Sequence, residues 1–472
     1  MGRGDVHLRE PGNVLPWEAV MQLKFHRSGG KNRPTTIEFR SGTGTRVFID
    51  LGNHGEPGSG GTDIPLTVPG LTAPDPEGGR TGSALFISHL HLDHSGRLED
   101  ALPEVPVFCG PSTWKFMDVL NEHRIGRLEK DLGRGGPTRA GGDTLEGRLR
   151  RRKALAAVKF FEGLKPIRFD DIEIRPVMTD HSCPDTYMFL VREGEELALV
   201  SGDFMDHGLK RAQAEYFMGD LAKDAHWLVC SPVFGRGGKG ESAPKGPFAP
   251  ERDVEESVYR IMKEKPLTLA ICSSTGIDRI HSLVRANGRA GRDRLFLADR
   301  FQKEILDIAS GFRSPDRGML PYGFSGKLRL LEGNEAEKDF MAWKERGFLM
   351  LVRGGRFFSP YLERFLGVPG GDAGEEGAVL IYSRWEGYRK TGPLGFGEGD
   401  EVSLQVPKDR IRFAHTGGHA SPEALRRFAD RFCPEAKLVP IECSNAGELV
   451  KVFPEKGRVR KLEPGEYLLL NG

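Results

Sequence analysis

Short apolar runs, alternating with polar positions or continuous, fill 21–52 and return over 166–230. They read MQLKFH, TTIEFR and RVFIDLG, then IRFDDIEIRPV, TYMFLVRE, ELALVSGDF and HWLVCSPV. Runs of this length, rich in branched and aromatic residues and broken by Gly and Asp, predict β-strands. ALFISH at 84–89 predicts a buried strand that ends in histidines, and 53–80, rich in Gly, Pro and Asp, predicts a long loop. Trp114, Phe116, Met117, Leu120, Ile125 and Leu128 recur at helical spacing over 112–132, until GRGGPTRAGG ends the pattern. A second helix is expected within 143–163. It carries the basic run Arg148, Arg150, Arg151, Arg152 and Lys153, which reads as a solvated face or as a track for a phosphate backbone.

The texture changes after the loop-like stretch 235–251. DVEESVYRIMKE, LTLAICSS, IDRIHSLVRANG and RLFLAD alternate helix and strand patterns, and a further helix is expected at 301–309. The loop 366–377 precedes the strand AVLIYS. RIRFAHTGGHAS then opens a final block with a helix at 422–432 and the strand KLVPIE. No internal repeat is present. The order predicts an α/β fold whose first domain is discontinuous, 1–235 and 406–472, with a second α/β domain inserted at 236–405.

Composition narrows the class. At 472 residues the chain is long enough for two or three domains, and its 38% of hydrophobic residues suffices for sizeable cores. It has no uncharged apolar run of about eighteen residues, so no membrane-spanning helix is expected. The N-terminal stretch MGRGDVHLREPGNVLPWEAV lacks the apolar centre of a secretion signal and the Ser or Thr of a myristoylation signal. The six cysteines form no CxxC pair, and several lie in strand-like runs such as LVC and AIC. Reduced, packed thiols and a cytoplasmic location are therefore expected. A formal charge of +1 means that any affinity for nucleic acid must come from local clustering.

The strongest chemical signal is His89-Leu90-His91-Leu92-Asp93-His94, immediately after a strand. A strand end is rigid, and the turn after it can aim several side chains at one point. Imidazole and carboxylate suit Zn²⁺, Mn²⁺ or Fe²⁺. Four ligands this close cannot all serve one tetrahedral ion that keeps an open position, but they can serve two neighbours: His89 and His91 on one, Asp93 and His94 on the other. Further ligands are expected at other strand ends. Asp180-His181-Ser182 follows EIRPVM and Ser201-Gly202-Asp203 follows ELALV, so His181 would complete the first set and Asp203 could bridge the pair.

Through its HxHxDH, His, Asp series the chain resembles the metallo-β-lactamase superfamily. LVCSPVFGR, ICSSTGIDRIHSLVRANGRAGR, YSRWEGYRK, HTGGHAS and LVPIECS, with Gly29-Gly30-Lys31-Asn32 near the start, make it similar to the β-CASP branch and its ribonuclease J-like metallo-hydrolases. The resemblance implies an αββα sandwich with an inserted β-CASP domain and two divalent ions, Zn at the first site and Zn, Mn or Mg at the second. It also implies single-stranded RNA as substrate in a cleft between the domains; a homodimer is a candidate assembly that the sequence leaves open. In that reading Asp93 orients or deprotonates the attacking water and His419 assists the departing oxygen. Two positions depart from the branch. Ser231 stands where an acidic residue usually supports the catalytic histidine, and Glu442 stands where a histidine usually ligates the second ion. These departures keep open a weakened, RNA-binding or regulatory relative, alongside a DNA nuclease or a nucleotide phosphodiesterase.

Two strand-to-helix turns are candidates for holding phosphate. His415-Thr416-Gly417-Gly418-His419-Ala420-Ser421-Pro422 offers paired glycines for close backbone approach, with Ser421 as a good N-cap. Ser273-Ser274-Thr275-Gly276 offers hydroxyls and free N–H groups before IDRIHSLVRA. His415, Gly417, Gly418, Ser421, Ser273, Ser274 and Thr275 are accordingly the expected phosphate contacts.

Overall fold

The computed structural model describes residues 20–26, 36–53, 66–76, 84–133, 139–140, 143–231, 248–313, 322–324, 328–353, 356–368, 374–385, 405–441, 446–462 and 466–470. Its first sheet contains β1 (Gln22–His26), β2 (Thr36–Arg40), β3 (Arg46–Ile49), β4 (Ala84–Phe86), β5 (Val107–Cys109), β8 (Lys159–Phe160) and β21 (Tyr467–Leu469), in the order β21-β1-β2-β3-β4-β5-β8. The small pair β6 (Arg139–Ala140) and β7 (Asp143–Thr144) lies apart. The second sheet runs β20 (Lys437–Pro440), β13 (Trp227–Cys230), β12 (Glu196–Val200), β11 (Tyr187–Glu193), β10 (Ile172–Met178), β9 (Ile167–Phe169). The third sheet is parallel throughout: β16 (Leu328–Leu330), β15 (Leu295–Ala298), β17 (Phe348–Leu351), β14 (Leu267–Ile271), β18 (Ala378–Tyr382), β19 (Ile411–Phe413). The fold is mixed α/β.

The first two sheets meet through aromatic rings. Phe86 of β4 lies 5.9 Å from Phe169 of β9 and 5.8 Å from Phe189 of β11, both edge to face. Edge-to-face contact sets the positive rim of one ring against the negative face of the other. The four central strands of the third sheet, β14, β15, β17 and β18, are buried throughout, as expected of parallel strands fed by helical crossovers. Ala270 joins the large apolar cluster that includes the first two sheets, whereas Leu267, Leu269 and Ile271 join a second cluster with Trp343, Phe348 and Tyr361.

Topology gathers one set of strand ends on a single rim. β10 and β12 are each antiparallel to β11, so they run the same way; β13 and β20 are parallel to β12. The carboxyl ends of these strands lead to Asp180-His181, Ser201-Gly202-Asp203 and Ser231. Glu442, like Cys443 and Gly29-Gly30-Lys31-Asn32, lies outside the described residues.

The helix expected over 112–132 is present as Pro111–Leu132. The one within 143–163 covers Leu145–Ala156 only, because β8 follows at Lys159. Its basic run does not form an open cationic face. Arg151 is buried and bonds to the Ser95 carbonyl and Glu99, while Arg150 pairs with Asp100 and Arg152 with Glu122. The pairing favours the solvated-face reading over the phosphate track.

Candidate metal centre

The HxHxDH segment is folded as a tight turn followed by the short helix Leu92–Ser95. A strap of backbone from the end of β3 fixes it: Leu51 N donates to the His94 carbonyl at 2.8 Å, and Asn53 N to the Leu92 carbonyl at 2.7 Å. Gly52 permits the approach. A Cβ there would lie 1.7 Å from the Asp93 carbonyl oxygen. Beyond β12, Gly202 adopts φ +50, a left-handed turn that suits glycine, and Asp203 follows it.

Two groups of side chains converge on this rim and share one carboxylate. His89, His91, His181 and Asp203 form the first, and Asp93, His94 and Asp203 the second; within each group one ligand atom per residue lies within 4.8 Å of the others. His89 Nε2 is 3.0 Å from His91 Nδ1, and His181 Nε2 is 3.3 Å from that same atom. Asp203 Oδ2 lies 3.9 Å from His89 Nε2 and 3.3 Å from His94 Nε2. His419 Nδ1 lies 3.6 Å from Asp203 Oδ1, and its ring sits 5.8 Å from that of His181.

Hydrogen bonds on the outer side of the rings set where their protons sit. The Gly418 carbonyl can only accept, so His181 Nδ1–H donates to it, at 2.7 Å, and leaves Nε2 as a lone pair. His94 Nδ1 faces Asp50 Oδ2 at 2.7 Å, which likewise turns its Nε2 inward unprotonated in the neutral ring. Ser88 Oγ donates to Asp50 at 2.8 Å and lies 3.0 Å from His89 Nδ1, so it can accept the proton of that nitrogen. His89 Nε2, His91 Nδ1 and His181 Nε2 then face one another with at most one proton among them. Lone pairs set this way are satisfied by a cation between them, and ring N–H groups held by carbonyl or carboxylate are the usual support of metal-bound imidazoles.

Orphaned atoms point the same way. His94 Nε2, Asp203 Oδ1 and His419 Nδ1 are buried and have no hydrogen bond. Buried polar atoms are seldom left so. The donor set therefore fits divalent ions: imidazole-rich in the first group, carboxylate-rich in the second.

Electrostatics separates the two groups. Burial pushes His89 and His181 well below the ordinary histidine value, with neighbouring rings adding to the shift, and it lowers His91 as well. These rings are neutral and ready to coordinate. Burial also opposes charge on His94, but Asp203 and Asp50 outweigh it and hold that ring well above its usual range. Asp203 stays ionised far into acid: burial works against it, and the surrounding histidines, His419 first, overcome that.

The two phosphate candidates meet through a residue that sequence reasoning missed. Arg279, in the first turn of the helix Ile277–Ala290, grips Glu251 with two bonds of 2.7 and 2.8 Å. It also donates to Ser383 Oγ at 2.6 Å and to His415 Nδ1 at 3.1 Å. Desolvation and this guanidinium lower His415 to about 3, so it is a neutral donor through Nε2 rather than a cation. Ser273 and Thr275 hydroxyls lie 3.2 Å apart, and the Ser274 carbonyl accepts from Gln302. Ser421 is occupied as the N-cap of Pro422–Phe432, accepting from Ala424 N at 3.2 Å. Gly417 approaches Phe248, where a Cβ would come within 3.1 Å.

Asp50 was also missed. It adopts φ 61, in the left-handed region, at the end of a strand that reads RVFID. An acidic residue at a strand end just upstream of the histidine block is the signal that could have found it. The thiols read as packed are free: Cys109, Cys183, Cys230 and Cys433 are buried, and burial pushes Cys183 and Cys433 up to about 12. No helix among the described residues is long and apolar enough to cross a membrane.

Comparison with solved structures shows the class of fold. A crystal structure from Enterococcus faecalis, titled as a protein of unknown function, superposes with a TM-score of 0.64 at 20% identity, covering 96% of this chain and 100% of that one. No family model matches. Among curated proteins, the chain is 23% identical over 319 residues to ribonuclease J of Sinorhizobium meliloti, a span of 61% of this chain and 49% of that protein. The chain thus spans about half the length of the curated relative it matches. The chain is thus distantly similar to ribonuclease J, in agreement with the resemblance carried by its motifs.

Proposed function

We propose that the chain is a metal-dependent phosphodiester hydrolase acting on single-stranded RNA. The observation that carries this reading is the pair of ligand groups joined at Asp203. Similarity to ribonuclease J supports a nuclease over other metallo-hydrolases. In this reading the first two sheets form a metallo-β-lactamase sandwich from 1–235 and 406–472. The parallel sheet forms a β-CASP insertion at 236–405, to which β19 still adds a strand just past that boundary. Substrate would lie in the cleft between them.

His89, His91, His181 and Asp203 would hold one ion, and Asp93, His94 and Asp203 a second, with Glu442 as a further oxygen ligand. Zn suits the first; the carboxylate share of the second also suits Mn or Mg. When bound, such a pair lowers the pKa of a coordinated water and neutralises phosphoryl oxygens. Asp93, half-buried at the rim, would orient the attacking water and take its proton. His419 faces Asp203 through Nδ1 and would hold the proton that passes to the departing oxygen. Arg279 would hold His415 so that its Nε2–H points outward to a flanking phosphate, with Ser273, Ser274, Thr275 and the Gly417-Gly418 backbone as neighbouring donors.

The reading is tested by metal analysis together with hydrolysis of end-labelled single-stranded RNA, DNA and a small aryl phosphodiester under Zn²⁺ and Mn²⁺. Wild type should cleave RNA fastest, and Asp203→Ala and His181→Ala should cleave none. Preference for DNA or the aryl ester would replace the substrate class. Tight RNA binding without turnover under either metal would instead favour a regulatory relative, the outcome that Ser231 and Glu442 make specific. A homodimer finds no support among the described residues.

A further inference from the structure

The backbone that carries His181 is fastened by a buried cation from another part of the fold. Lys210, just before the helix Arg211–Met218, is 1% exposed. Its Nζ donates to the main-chain carbonyl of His181 at 2.7 Å and to Asp278 Oδ2 at 2.5 Å, and lies 3.9 Å from Asp180 Oδ1. Asp278 belongs to the helix Ile277–Ala290, which lies between strands of the third sheet in sequence; its second oxygen accepts from Tyr322 Oη at 2.5 Å. Asp180 in turn accepts from Gly208 N at 2.9 Å and Lys210 N at 3.2 Å, which ties the 208–210 turn to the same loop.

His181 is therefore held twice. Its ring is oriented by the Gly418 carbonyl and its backbone by Lys210. A well-packed apolar residue could join the same elements without the desolvation of an ammonium and two carboxylates. What an apolar residue could not supply is a directed bond to one carbonyl, and here that carbonyl belongs to a member of the candidate metal cluster. We propose that Lys210 is a positioning residue: anchored by Asp278 and Tyr322, it fixes the His181 segment and so makes the geometry of the first ligand group depend on how the third-sheet body is seated. The link to ions rests on the metal-centre reading above; the link to the segment does not.

The test uses the full chain in three variants. Lys210→Met removes the cation. Lys210→Met/Asp278→Asn also removes the carboxylate it would strand, and serves if the single variant does not fold. Glu304→Gln removes the carboxylate charge from the 2.7 Å His123–Glu304 contact between the helices Pro111–Leu132 and Arg300–Ser310, two residues with no hydrogen bond to 178–187 among the described residues. Amide hydrogen exchange across 178–187 is followed in metal-free protein, and Zn²⁺ affinity by chelator competition. Both Lys210 variants should speed exchange in 178–187 and weaken the tighter Zn²⁺ site by roughly 10–100-fold, the usual scale for residues that hold a ligand in place. Glu304→Gln should leave both unchanged. Wild-type exchange in the folded double variant, or an equal disturbance by Glu304→Gln, overturns the proposal. Faster exchange in the Lys210 variants of a protein that binds no Zn²⁺ even as wild type upholds the positioning role and sinks the metal-centre reading alone.

Discussion

Asp50→Asn changes a proton's address while leaving the backbone alone. Asp50 sits at φ 61, a conformation that asparagine also tolerates. Its Oδ1 accepts from Ser88 N at 2.7 Å, and its Oδ2 accepts from Ser88 Oγ at 2.8 Å and faces His94 Nδ1 at 2.7 Å. An amide keeps an oxygen for Ser88 N but turns an N–H toward His94. Two N–H groups cannot face each other, so the neutral ring moves its proton to Nε2, 3.3 Å from Asp203 Oδ2. A protonated nitrogen cannot coordinate. Restoring the useful tautomer means giving up a hydrogen bond to a charged partner, about 1.5–3 kcal/mol, or roughly 10–150-fold in affinity at about 1.4 kcal/mol per decade. Supporting residues of metal-bound histidines commonly cost about 10–100-fold. The ion at Asp93, His94 and Asp203 should therefore weaken by one to two decades, while the ion at His89, His91, His181 and Asp203 stays near wild type. Stepwise competition with a chromophoric chelator resolves the two. Equal weakening of both ions, or none of either, in a protein whose circular dichroism is unchanged refutes the tautomer argument.

The same electrostatics predicts unequal pH dependence. Uptake by the second group must displace the proton that Asp203 and Asp50 keep on His94 against burial, so its affinity should rise about tenfold per pH unit up to that raised value. The first group, whose rings are already neutral, should stay flat over the same range; calorimetry in buffers of different ionisation enthalpy counts the protons, and equal release by both sites would contradict the assignment. Gly52→Ala places a Cβ 1.7 Å from the Asp93 carbonyl oxygen, and should disturb the 91–94 turn and destabilise by about 1–3 kcal/mol or more; an unchanged thermal melt with intact ion binding counts against it. Arg279→Met strands the buried Glu251 and should cost roughly 3–5 kcal/mol in urea unfolding. Most of that loss should return in Arg279→Met/Glu251→Gln, and no return would mean that the bonds to Ser383 and His415 matter more.

What the sequence made legible was chemistry concentrated in one place or marked by a strand end. His89, His91, Asp93 and His94 fall within one turn of chain, so their convergence needs only local geometry. His181 and Asp203 were found because each follows an apolar run, and the structure brings both to the same rim as the histidine block. The division of the six residues into two groups sharing Asp203 follows from a limit on how many ligands one ion can use. The alternation of strands and helices could be read in the same way, because burial imposes its period on each segment separately.

The residues that stayed hidden act across long stretches of chain and leave no local pattern. Lys210 meets Asp278 68 residues away, and Arg279 meets His415 136 residues away. A lysine before a helix reads as a solvated charge, and an arginine in IDRIHSL reads as an exposed face. Burial reverses both readings, since an ammonium or guanidinium removed from water persists only with partners that meet its charge. The basic run 148–153 shows the converse. Its five cations read as a solvated face or as a phosphate track, and a helix turns about 100° per residue, so consecutive arginines cannot share one face. Arg151 points inward to the Ser95 carbonyl and Glu99, beside the short helix that carries Asp93 and His94. The arginine most central to the run thus buttresses the candidate metal turn from behind.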